Sequence, residues 1–572
     1  MALALDTDGK LSGLMRARWY WSIPALAILS LLAPILLTDR TFASDWGNHY
    51  WLIYMQGLNI EALGEPSIYL QSTYAQGLLG AFYPYYAFYG GTFYAVAGLL
   101  ADVFDTEVAV LLAYAGAIAA NYLGWTWMAR MAGVRGWRAQ LPGLIAVTAP
   151  LAVTNLYGRG GIPEVIATSM LPLVAAAGIS LVREPRLRLR DAAAFVVGLV
   201  FLTGSHALTL AWGIVFLGLL AVLLIACHWP FVKQRAMRLL TIAWLALLAG
   251  CVNAWMLVPA LLYRSRILEN EPDPITGTAY TDPSHLFSLL RNTGDPIANV
   301  HADVNAQLPV LALLWALACG AIFWRFATPR SRALGIGLAT VLAALLALIL
   351  HPALIGDLPE FLQYIQFPYR LLTYADFCVV GLVTLALAST ERERASGRAT
   401  AAVVALAAIG FFNLVISGVQ NVEVRSWLSG RDRAIASSVH PPTSWYAPPQ
   451  FADGEAPLVH PTLPRLLIVP VEEGIRDSYR VEYPPGPAGT AQTNIATGSY
   501  LVDVSGATPV GRNQVGEMVV RLPAAPHRPR VVTVSAENSP AIVASRWVSL
   551  VSLLGALAAL AGAIVLRRRR RV

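Results

Sequence analysis

The stretch Phe82–Phe104, FYPYYAFYGGTFYAVAGLLADVF, decides how the chain is threaded. It is apolar and close to the roughly 20 residues that a helix needs to cross a hydrocarbon core. It is also dense in tyrosine, glycine and proline, which suits an interfacial or re-entrant segment with aromatic rings at headgroup level. Around it lie apolar stretches of spanning length at 20–38, 107–129, 164–182, 207–227, 239–262, 308–324, 333–355, 371–389, 399–418 and 542–566, with shorter ones at 140–157 and 192–204. The loops between them carry arginine-rich clusters: Arg16/Arg18, Arg130/Arg135/Arg138, Arg183/Arg186/Arg188/Arg190, Lys233/Arg235/Arg238, Arg325/Arg330/Arg332, Arg392/Arg394/Arg398 and the terminal Arg567–Arg571. If all are cytoplasmic, an even number of crossings must separate successive clusters. Each interval holds two apolar stretches except Arg18 to Arg130, which holds three. One of the three does not cross, and composition selects 82–104. The expected fold is an all-α polytopic membrane protein with about twelve transmembrane helices and both termini cytoplasmic.

Composition sets the class. Of 572 residues 56% are hydrophobic and 13% charged, which marks an integral membrane protein. The net charge of +7 comes from arginine, Lys10 and Lys233 being the only lysines, and it sits in short clusters between apolar spans rather than on a nucleic-acid surface. Cys227, Cys251, Cys319 and Cys378 lie in or beside apolar segments without metal-like spacing and read as apolar filler. The N-terminus is polar before Trp19 and lacks a small-residue cleavage site after it, so the first span is expected to be retained.

Four pieces then share the outer face: a first loop (39–106), the turn Asn155–Pro163, a loop (264–307) and an insert (420–541). The insert begins proline-rich and continues as RLLIVP, DSYRVEY, GSYLVDV, EMVVRL and RVVTVSA, divided by turn residues. That alternation predicts a small extracytoplasmic β-sandwich-like domain before the last helix. The division is a transmembrane domain over 1–419, the β-domain over 420–541, and a last helix with its cytoplasmic arginine tail over 542–572.

The polar residues at this face carry the chemistry. Asp45 and His49 follow the first span directly, where a carboxylate is well placed to take a proton from a substrate hydroxyl. The apolar pattern from His49 to Leu63 predicts a helix lying along the interface, so Asp45 reads equally as its N-cap. In NLYGRGGIPE, Arg159 and Glu164 stand among three glycines; glycine admits close approach of a ligand and arginine forks onto phosphate, while an Arg/Glu ion pair in a plain turn also fits. His206 sits at the turn of a helical hairpin, and His301 in the 264–307 loop. In QFPYRLL, Gln366, Tyr369 and Arg370 stand among aromatics, where a lone arginine is costly unless it meets an anion.

A first-loop Asp, the FYPYYAFYGG segment, the Y-x-R-G-x-x-P-E turn and IQFPYRLL together resemble bacterial membrane proteins labelled pyruvoyl-tetrahydropterin-synthase-related, within the C-type (GT-C) glycosyltransferases. The resemblance covers residues 15 to 420. It implies a GT-C-like fold and inverting transfer of a sugar from a polyprenyl-phosphate donor to a cell-envelope glycan or glycolipid acceptor, outside the membrane. Asp45 is then the general base, Arg370 and Arg159 hold the donor phosphate, and His49, Glu164, His206, Gln366, Tyr369 and His301 are candidates for the substrate site. The implied partners are the sugar donor, the acceptor and membrane lipids, with no nucleic acid. A divalent cation is possible in the superfamily and is not required by these residues; Trp46 follows Asp45 where many members carry a second acid.

Two other classes compete: a lipid-linked glycan flippase and a non-catalytic envelope-assembly scaffold. A transporter is expected to carry broken helices with polar groups near the bilayer midplane, for which Asn121, Asn253 and Asp376 are the candidates.

Overall fold

The computed structural model describes residues 7–37, 46–70, 82, 84–264, 286–288, 307–363, 365, 367–393, 396–428, 478–496, 502–512 and 517–569. Its membrane part is helical: α1 (Thr7–Leu37), α2 (Trp46–Leu63), α3 (Tyr85–Tyr89), α4 (Gly91–Val103), α5 (Thr106–Met131), α6 (Leu141–Val147), α7 (Pro150–Val153), α8 (Ile162–Arg183), α9 (Leu189–Ser205), α10 (Ala207–Cys227), α11 (Trp229–Lys233), α12 (Ala236–Val252), α13 (Ala254–Tyr263), α14 (Val310–Ile322), α15 (Pro329–Leu350), α16 (Glu360–Gln363), α17 (Leu372–Thr390), α18 (Gly397–Leu428) and, after the β-domain, α19 (Pro540–Arg569). Among the described residues seven helices are long and apolar enough to cross a membrane, or nine if each of two bent pairs counts as one span. The helices over 21–37, 91–103 and 310–322 are apolar but shorter.

Helix α17 is the hub. Its sequence is apolar on every side, as a helix buried all round must be, and its span is 83% buried against 6% for that of α19. Helix α19 turns Trp547, Val551, Leu554 and Leu557 outward, as a helix facing lipid does. Helices α5 and α8 approach closely because Gly124 has no side chain: a Cβ there would lie 2.5 Å from the Leu173 backbone nitrogen.

Five of the seven arginine clusters meet at one end of the bundle. Arg183 donates to the Met131 carbonyl, Arg235 to Val182 O at 3.1 Å and Arg238 to Pro185 O at 2.9 Å. Arg392 donates to Phe326 O at 2.9 Å, and Arg138 pairs with Glu391 at 2.8 Å. Helix α8, with a rise of about 1.5 Å per residue, carries Arg183 at this end and Glu164 at the other. Residues 84–104 divide into α3 and α4 at Gly90, which lies against Ser205 at the C-terminal end of α9.

Two stretches that read as continuous spans are bent. The stretch 140–157 bends by 58° between α6 and α7, and 239–262 bends by 71° at Asn253. A broken helix in lipid must satisfy its freed backbone groups. At the second break Ser549 of α19 accepts from Trp255 N at 2.8 Å and donates to Cys251 O at 3.1 Å. Asn253 donates to Val200 O at 2.8 Å and to Thr203 Oγ1 at 2.6 Å, and accepts from Thr92 Oγ1 at 2.7 Å. Its hydrogen-bonding capacity is spent on the break, which makes Asn253 a structural residue.

Among the described residues six strands form two three-stranded antiparallel sheets, ordered β1-β6-β3 and β2-β5-β4; β1, β3, β5 and β6 fall in expected segments, whereas β2 and β4 lie outside them. They comprise β1 (Ser478–Tyr483), β2 (Gly489–Ala496), β3 (Val502–Ser505), β4 (Thr508–Arg512), β5 (Glu517–Leu522) and β6 (Arg530–Ala536). Alternation in β1 buries Tyr479, Val481 and Tyr483, and the first two lie opposite Val534 and Val532 of β6. RLLIVP lies outside the described residues. The sheets meet the first loop: Tyr69 donates to Glu537 O at 2.9 Å, and the Phe82 and Tyr479 rings are 5.5 Å apart.

Candidate anion site at the N-terminal ends of α8, α10 and α17

Three chain turns bring the site together. After α7 the backbone winds into one wide π turn, Thr154–Gly158, closed by Arg159 N donating to Thr154 O at 2.8 Å. Gly160 then takes φ +72°, which lets the chain reverse into α8. Arg159 and Glu164 are thereby folded back on each other, and Arg159 Nη1 donates to Glu164 Oε2. Glu164 is in the first turn of α8, where the helix dipole favours a carboxylate. The second arginine comes from the single 3₁₀ turn Pro368–Leu371 that opens α17. Arg370 Nε lies 3.5 Å from the same Glu164 Oε2.

The charges are buried and unequal. Exposure is 5% at Arg159, 3% at Glu164 and 7% at Arg370. Two guanidinia share one carboxylate oxygen, and Arg370 Nε and Nη1 have no hydrogen-bond acceptor among the described residues. A buried cation in excess is costly, and a guanidinium with unspent donors suits a phosphate or carboxylate. Phe367 covers the group, with Arg370 Cζ 5.4 Å from its ring centre, and Tyr369 stacks on Phe367 at 5.5 Å.

His206 stands at the turn from α9 to α10, where Nδ1 accepts from Thr209 N at 3.3 Å and so caps α10. That acceptor role puts the proton of the neutral ring on Nε2, a donor. Burial pushes its pKa down to about 3, against the pull of the Glu164 charge, so the ring is neutral. Tyr89 sits edge-on to His206 at 5.6 Å and also 5.6 Å from His49. His49 is 1% exposed, and its Nδ1 is 2.7 Å from the Tyr94 hydroxyl. The aromatic segment thus joins α2 to the ion cluster.

Arg159, Glu164, Arg370 and His206 therefore converge, Tyr369 adjoins them, and His49 connects through Tyr89. Asp45, Gln366 and His301 lie outside the described residues. Sequence reasoning missed Tyr89 and Phe367, which read there as interfacial rings. Their signal was position, one residue before Gly90 and three before Arg370.

Gly90 is what lets Tyr89 reach His206. Its φ is +106°, and a Cβ there would lie 1.8 Å from the Ser205 carbonyl oxygen. Gly90→Ala is expected to cost about 3 kcal/mol or more through left-handed strain plus overlap with backbone. Thermal unfolding in detergent measures it, and an unchanged midpoint would show that this approach is not needed.

No family model and no curated protein matches the chain.

Proposed function

We propose that the protein is an inverting membrane glycosyltransferase of the C type, moving a sugar from a polyprenyl-phosphate donor to a cell-envelope glycan or glycolipid. The observation that carries the reading is Arg370: a buried guanidinium with donors unspent, beside a second arginine and, among the described residues, one carboxylate. A lipid phosphate at the mouth of α17 supplies the missing negative charge. Its isoprenoid tail lies along the exposed apolar helices, and its sugar faces the first loop.

In this reading all the arginine-rich ends are cytoplasmic, which puts the anion site, the first loop and the β-domain outside. Counting α1, α9, α14 and the two bent pairs as crossings gives about twelve, with 82–104 not crossing. Asp45 takes the acceptor hydroxyl proton as that oxygen bonds to C1 of the sugar. The bond from C1 to the phosphate oxygen breaks, and its electron pair leaves with the lipid phosphate. The phosphate goes from one negative charge to two, and Arg370 and Arg159 stabilise the increase in a site shielded from water.

The test is transfer from a panel of polyprenyl-phosphate sugars by purified wild type and Asp45→Asn. Wild type is expected to transfer, and Asp45→Asn to be slower by about 10²-fold or more with donor binding retained. Equal rates would remove Asp45 from the chemistry.

The two bent spans favour a second reading, a lipid-linked glycan flippase, since interrupted helices are common where transporters bind substrate. Movement of lipid-linked glycan in proteoliposomes, with no transfer from any donor, would select it.

A further inference from the structure

Within the bundle, below the anion site, a second polar site lies at the break between α6 and α7. A cavity of about 60 Å³ there is bounded by α5, the bent segment, α8 and α17. That is room for a few water-sized occupants. Among its lining residues are Asn121, Asn155 and Asp376, from three different elements. Their Oδ1 atoms are all buried, and none has a hydrogen-bond donor among the described residues. Asn155 is 2% and Asp376 9% exposed. A fourth oxygen, on α8, lacks its helical donor. Pro172, inside the helix, has no N–H to give the carbonyl four residues back. That carbonyl belongs to Thr168, and both residues line the cavity.

The two breaks differ in how they are satisfied. The one at Asn253 is closed by Ser549 and by the asparagine itself. The one at 148–149 opens onto three Oδ1 atoms that have no donors among the described residues. Oxygens of this kind gathered in one place, amide, carboxylate and freed carbonyl, are the ligand set of a hard cation. Charge selects its valence. One carboxylate balances a monovalent ion, whereas a divalent ion would leave net charge in the bundle, below two arginines.

We propose that this cavity is a binding site for a monovalent alkali cation, held by Asp376, Asn121, Asn155 and the Thr168 carbonyl. The ion fastens the bent segment to α8 and α17, the elements that carry Arg159, Glu164 and Arg370 a turn or two away. It acts there as a structural tie and takes no part in transfer.

Equilibrium binding of ²²Na⁺ to the full-length protein in nanodiscs, at constant ionic strength set with choline chloride, tests the proposal. Wild type is expected to bind about one ion per chain, saturably, displaced by Na⁺ and Li⁺ and not by choline. Asp376→Asn and, independently, Asn121→Ala are each expected to weaken binding by about 10-fold or more. A monodisperse, helical wild type without saturable uptake would overturn the proposal and leave the cavity to water. Retention of wild-type affinity by both variants would overturn it as well. No sugar donor enters the assay, so its outcome is independent of the transferase reading.

Discussion

Arg370→Ala is expected to lower transfer by at least about 10²- to 10³-fold, the cost of removing a preorganised donor from a developing oxyanion, while leaving the free protein as stable as wild type or more so. The two halves come from one fact. Without donor, Arg370 is a buried cation for which Glu164, already bonded to Arg159, is an incomplete partner. Removing it relieves a desolvation cost. With donor, the same guanidinium meets a phosphate whose charge doubles as the bond to C1 breaks. Most of the loss should therefore appear in kcat rather than KM, because the interaction strengthens toward the transition state. Arg370→Lys should recover little, since an ammonium keeps the charge but loses the planar fork. Steady-state kinetics on a lipid-phosphate sugar, with thermal unfolding of the same preparations, measures both halves. Unchanged kcat would remove Arg370 from the phosphate site, and a large loss of stability would make it a structural ion pair.

Glu164→Gln is expected to have the opposite balance. It keeps shape and hydrogen-bonding capacity but leaves two buried guanidinia with no carboxylate between them. Breaking a buried pair by removing one partner costs about 3–5 kcal/mol. An anion in solution should restore part of it, so inorganic pyrophosphate is expected to raise the unfolding midpoint of Glu164→Gln more than that of wild type. Combining it with Arg370→Ala should recover stability, because one guanidinium alone then faces the glutamine amide and the turn. Unfolding curves of the single and double variants, with and without pyrophosphate, form the cycle. If Glu164→Gln is as stable as wild type, the carboxylate does not hold the cluster.

Among the described residues, arginines that follow apolar stretches bond to neighbouring helix ends. Arg138, Arg183, Arg235 and Arg392 all bond at one end of the bundle. Charge at helix ends is a local property, so it could be read without any contact. Strand pattern was legible for the same reason: β1, β5 and β6 occupy the expected alternating segments. The two bends were not legible. Hydropathy is continuous through both, and what closes the break at Asn253 is a partner remote in sequence, Ser549 for Trp255.

For the site, the sequence by itself determined the ingredients: an arginine in a glycine turn, another at the mouth of a span, a glutamate opening a helix and a histidine in a hairpin. Each was chosen because an ionisable group at a membrane boundary is costly without a partner. The tertiary structure alone decided that Arg159 and Arg370, more than two hundred residues apart, share one oxygen of Glu164, and that Asn121, Asn155 and Asp376 line one cavity. The physical reason is that burial and charge balance are sums over neighbours. Sequence spacing fixes neighbours only within a helix turn, and the packing of α8 against α5 and of α17 into the centre of the bundle supplies the rest.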